Sequence, residues 1–138
     1  MRTTILQIIY NLLGAISLGN GLWMLGAASS WFFKMPIAAH DTGPLNAHFV
    51  HDVGWVYVLV GVAAFYCSRH LENCFEIHVA AVLFMLGHAF IHAVEIVIGT
   101  LPTAHWLIDF PLVTFPALLL LAITPFLHQL NYHGTEKK

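Results

Sequence analysis

The chain has 138 residues, 59% hydrophobic and 9% charged, with a mean hydropathy of +0.77. Ordinary soluble domains carry roughly a quarter charged residues, so a water-soluble globule is excluded. The formal net charge is -2, and the five cations, Arg2, Lys34, Arg69, Lys137 and Lys138, are scattered along the chain. This leaves no basic footprint for nucleic acid.

At about 1.5 Å of helix rise per residue, some twenty residues cross a hydrocarbon core of about 30 Å. Apolar stretches run over Ile5–Ala28, Phe49–Cys67, Phe75–Ile98 and Trp106–Leu127. They predict an all-α, integral membrane four-helix up-down bundle in a single transmembrane domain, residues 1–138. Its helices are expected at about 5–28, 48–68, 74–99 and 105–128, with a loop at about 29–47. A membrane barrel would need segments of about ten residues alternating polar and apolar, and none is present.

The first stretch follows Arg2 and ends in Gly26-Ala27-Ala28-Ser29, which imitates a signal peptide. Its length and its amides, Asn11 and Asn20, favour a retained helix. Glycines recur seven apart at Gly14/Gly21, Gly19/Gly26 and Gly54/Gly61, a spacing that returns to one helix face and lets backbones approach closely. The long loop carries Trp31, Phe32 and Phe33, aromatic residues of the kind that settle at headgroup level. Short connections around Ser68–Asn73 and Gly99–His105 make the last three helices antiparallel neighbours.

Arg2, Arg69, Lys137 and Lys138 fall on one side and Lys34 on the other, which makes both termini cytoplasmic. In a bacterial inner membrane the long loop and the Gly99–His105 turn then face the periplasm.

The sequence holds ten histidines, an unusual load for a chain in lipid, where polar groups are costly and mark sites or partners. The second helix opens with His48, His51 and Asp52. The third ends with His88, His92 and Glu95, spaced i, i+4, i+7 on one stripe. The fourth starts with His105 and Asp109, and the long loop adds His40 and Asp41. Counted inward from the helix ends, Asp52, His92, Glu95 and Asp109 share one depth, within about 10 Å of the outer boundary.

Imidazole nitrogen with carboxylate oxygen suits borderline divalent ions, and bundle interiors build such sites from facing helices. The reading is a transition-metal site of copper, zinc or iron near the outer face, for metal handling or for metal-dependent chemistry on a lipophilic substrate. Its candidate residues are His48, His51, Asp52, His88, His92, Glu95 and Asp109. Asp52, Glu95 and Asp109 are also the candidate bases.

One alternative is a haem b electron carrier, with His48 or His51 facing His88 or His92. His78 lies fourteen residues before His92, as in two-haem cytochrome b helices, but Val62 and Phe65 stand at the matching positions beyond His48 and His51. The matching histidine pair that two haems need is therefore missing from the second helix. A second alternative is a non-catalytic subunit of a larger membrane complex, its cluster an interhelical hydrogen-bond network. The glycine faces also make a homo-oligomer plausible.

The remaining features are given no chemical role. Cys67 and Cys74 flank a turn at a spacing that fits neither a CxxC pair nor a zinc pattern. His70, His128 and His133 lie at or beyond the cytoplasmic helix ends. Met24, Met35 and Met85 read as packing before thioether ligation of copper. Glu72 and Glu76 complement a helix dipole. No phosphate loop or nucleophile elbow is present.

Overall fold

The computed structural model describes residues 3–36 and 39–135, with side chains through residue 131. Arg2, His133, Lys137 and Lys138 lie outside the described side chains. The described residues are all-helical, in the order α1 (Thr3–Gly26), α2 (Ala28–Lys34), a 3-10 turn (Ala39–Thr42), α3 (Ala47–Arg69), α4 (Phe75–Val97), α5 (His105–Ile108), a π-helical turn (Phe110–Thr114) and α6 (Phe115–Thr135). Four segments are long and apolar enough to cross a membrane: Thr3–Gly26, Ala47–Arg69, Phe75–Val97 and Phe110–Asn131. Large apolar side chains such as Leu12, Leu83, Phe90 and Leu121 point outward. That pattern suits a chain whose solvent is lipid.

The first three long helices start and end within two residues of the expected bounds. The fourth differs, because the expected continuous helix from residue 105 is broken before α6. Pro111 has no N–H to donate into a helical ladder. The chain instead bonds Val113 N and Thr114 N to the Asp109 carbonyl, at 2.8 and 3.2 Å, and this widened turn carries Asp109 at its start. Turns of this kind inside helices often accompany functional sites.

The long connection is more ordered than expected. It contains α2 and the 3-10 turn, and Trp31 and Phe32 are buried against Met24, Ala28, Ala39 and Val50. Trp31 Nε1 donates to Asn20 Oδ1 at 2.8 Å, so an amide inside α1 anchors the connection. Phe33 alone of the three aromatic residues is exposed.

Packing of α1 on α3 rests on glycine. A Cβ on Gly21 would stand 2.6 Å from Gly54 O, and one on Gly61 would stand 2.7 Å from Leu18 N. Gly14 meets the ring of Phe65, so contacts that advance along α1 retreat along α3. Gly19 and Gly26, which show the same spacing in sequence, face open space. At the opposite end from α2, the Asn131 side chain ties α6 to the start of α4. Its Oδ1 accepts from Cys74 N at 3.1 Å and Phe75 N at 3.3 Å, and its Nδ2 donates to Leu71 O. Two backbone donors that an α-helix leaves unpaired at its first turn are thus satisfied.

Overpacking a close contact costs about 1–3 kcal/mol, whereas alanine in place of an unpacked helical glycine gains up to about 1 kcal/mol. Gly61→Ala is therefore expected to lower the thermal unfolding midpoint in detergent, and Gly19→Ala to leave it level or raise it. Equal effects of the two would show that the α1–α3 contact is looser than described.

Candidate metal centre

The α4 stripe forms as its spacing requires, and its C-terminal half carries His88, His92 and Glu95. Beyond α4, Gly99 adopts φ +82, a left-handed conformation that glycine enters without steric cost. The chain turns back there and sets His105 at the start of α5. His105 and Asp109 are four residues apart and fall on the same side of that short helical stretch.

Asp109 is 2% exposed and His105 1% exposed, so both are cut off from water. His92 Nδ1–H donates to Asp109 Oδ2 at 2.8 Å. His105 Nδ1–H donates to Asp109 Oδ1 at 3.0 Å. The other ring nitrogen of His105, Nε2, lies 3.1 Å from Asp41 Oδ2 in the 3-10 turn. Carboxylate oxygens only accept, so both nitrogens of His105 carry protons and the ring is an imidazolium. Burial opposes this charge, but the hydrogen bonds and charges of Asp41 and Asp109 outweigh it and raise the His105 pKa above its ordinary 6.5.

His92, His105 and Asp109 each offer a ligand atom, and these atoms all lie within 4.8 Å of one another. Ligand atoms on one tetrahedral ion at about 2.0–2.1 Å are about 3.3 Å apart, so a small inward movement closes the set around an ion. The ion would take the place of the two Nδ1 protons. Asp41 would keep its bond from His105 Nε2–H, the arrangement in which a carboxylate fixes a ligating imidazole.

Of the expected site residues, His92 and Asp109 enter this group. His88 and Glu95 stand beside it on the wall of a cavity of about 400 Å³. The ring of His88 is stacked on Phe84 and set edge-on to His92 at 4.7 Å. His48, His51 and Asp52 are not brought to the group. Their helix turns Val50 and Gly54 inward, and at 100° per residue His48 and Asp52 stand about 160° away from Val50. They pair with each other at 3.5 Å, 87% and 64% exposed, and His51 is exposed as well. The haem arrangement, which requires one of these histidines opposite α4, therefore has no facing partner from α3.

Two members were not in the expected ligand set, His105 as a ligand and Asp41 as its support. The i, i+4 spacing of His105 and Asp109 was the available signal for the first. Nothing in the sequence marks the contact between Asp41 and His105, sixty-four residues apart.

His78 belongs to a separate, closed network. Thr124 Oγ1 donates to Leu120 O, so it accepts from His78 Nε2–H at 2.9 Å. His78 Nδ1 then accepts from the Tyr10 hydroxyl at 2.8 Å. The ring is neutral, fully buried, and has no lone pair left for a metal.

No protein-family model matches the chain, and neither the curated proteins nor the solved structures compared with it include a match.

Because the folded-state pKa of His105 is raised, its contribution to stability is fully present below the unfolded value of 6.5. It is lost as pH rises through the raised value. With chelator present, the thermal midpoint of the wild type is expected to fall over that window, and Asp41→Asn, which removes one of the two carboxylates, to flatten the fall. Identical pH profiles for the two proteins would mean that His105 is not held between two carboxylates.

Proposed function

We propose that the chain is an integral membrane protein that binds a divalent transition metal through His92, His105 and Asp109, for metal handling or for metal-dependent chemistry on a lipophilic molecule. The observation that carries this reading is the convergence of two imidazoles and a carboxylate, two of the three residues buried, with ligand atoms within 4.8 Å. Intramembrane and membrane-edge ionisable groups are expensive and mark function by default. Two nitrogen donors and one oxygen donor suit zinc, copper(II), iron and nickel. Three protein ligands leave a coordination position for water or substrate, the usual form of a catalytic site. Glu95, on the adjoining cavity wall, is the base available to take a proton from a bound molecule.

The same proposal gives the bundle an up-down arrangement with both termini on one side, supported by the distribution of Lys and Arg. The metal group then lies at the opposite face, the periplasmic one in a bacterial inner membrane.

Elemental analysis by mass spectrometry of tag-free protein, purified in mild detergent without chelator, tests the reading. About one metal ion per chain is expected, lost in His92→Ala, His105→Ala and Asp109→Asn and kept in His48→Ala and His51→Ala. Asp41→Asn is expected to weaken affinity by about 10–100-fold, the usual effect of removing a carboxylate that orients a ligating histidine. Wild type that stays empty after reloading with copper, zinc and iron would reduce the group to a hydrogen-bonded network within a larger assembly.

A further inference from the structure

A cavity of about 400 Å³ lies between α1, α2, α3 and α4, and His92 is common to its wall and to the metal group. Its size falls within the range of small-molecule pockets, about 300–1,000 Å³. The two sides differ in chemistry. Met24, Phe32, Val50 and Val53 make one side apolar, while α4 presents His88, His92 and Glu95 on the other. Among the described residues no Lys or Arg lines it.

The polar wall is open for bonding. Among the described residues the side chains of His88 and Glu95 have no hydrogen-bond partner, in contrast to His78, both of whose ring nitrogens are engaged. No buried side-chain nitrogen or oxygen among the described residues lacks a partner, so the ring nitrogens of His88 are not sealed in protein. They are accessible, and the residue borders the cavity.

We infer that the cavity binds a neutral, hydroxylated aromatic molecule of the phenol or hydroquinone class, its ring between Trp31, Phe32 and Tyr57 and its hydroxyl donating to His88 or Glu95. This deepens the reading of a lipophilic molecule beside the metal group and rests on it. The class follows from exclusion and fit. With Glu95 on the wall and no Lys or Arg lining the cavity among the described residues, a neutral head is favoured there over a phosphate or carboxylate. A hydrocarbon would leave His88 and Glu95 facing an apolar surface, unpaired. A planar ring finds aromatic neighbours that favour stacked and edge-on contacts. A hydroxyl supplies the donor that the lone pairs of His88 and Glu95 accept.

Equilibrium dialysis of labelled trimethylhydroquinone, kept reduced under argon, against the full chain in nanodiscs tests this inference, with empty nanodiscs subtracted. Saturable binding at about one molecule per chain is expected. Trimethylbenzene and benzoate should compete poorly. The double change His88→Leu with Glu95→Leu removes both acceptors and Val50→Trp fills the apolar side, and each variant is expected to weaken binding about tenfold, the equivalent of one lost hydrogen bond of about 1.4 kcal/mol or its packing counterpart.

Helical circular dichroism and metal content are measured on the same samples. Folded, metal-loaded protein without saturable binding overturns the ligand and leaves the metal reading in place; saturable binding to metal-free protein supports the ligand and counts against the metal. Competition by benzoate or trimethylbenzene equal to that of trimethylhydroquinone overturns the chemical class. Should either variant fail to fold, the wild-type competition series still decides.

Discussion

A carboxylate shut away from water has to be bonded, and Asp109 meets that requirement with two histidines from different helices while its backbone carbonyl holds the turn that follows. His92 reaches it from α4 and His105 from α5, and the widened turn after it uses its backbone carbonyl twice. His105, made cationic by that contact, in turn needs Asp41, which fastens the long connection to the same end of the bundle. Removing one partner from such a network leaves the others unsatisfied in a medium of low dielectric, so the members stand or fall together. This buried charge thus helps hold the connection over the cavity, alongside the Trp31–Asn20 bond and the burial of Trp31 and Phe32.

The two ends of the molecule use polar groups differently. Around His78 every donor and acceptor is matched, Tyr10 to imidazole to Thr124 to a helix carbonyl, and Asn131 closes the nearby turn with its own four-point set. Such closed networks specify how helices align and do nothing further. At the other end His88 and Glu95 border a cavity and have no partner among the described residues. Groups kept open in this way cost stability unless something binds to them, which is the physical reason for seeking chemistry there.

The helix pairs that hold this arrangement obey a different rule. In lipid there is no hydrophobic drive to bring apolar helices together, so close packing has to supply the contact energy. The α1–α3 crossing at Gly14, Gly21, Gly54 and Gly61 brings backbones near enough for that. It also fixes the rotation of α3, and that rotation sends His48, His51 and Asp52 outward.

The amino-acid order alone determined that four apolar helices would form, where three of them start and end, and that ionisable residues would gather at one depth, because these properties depend on hydropathy, length and distance along a helix. The stripe of His88, His92 and Glu95 was legible for the same reason, since 3.6 residues per turn is a local rule. Depth, however, says nothing about azimuth. Only the tertiary structure decided that α3 would turn its histidines outward, because a glycine contact with α1 sets its rotation. Only the tertiary structure placed Asp41 on His105, because that contact joins residues sixty-four apart. The break before α6 was foreshadowed by Pro111, but that the resulting turn would deliver Asp109 between two imidazoles depended on where α4 and α5 came to lie.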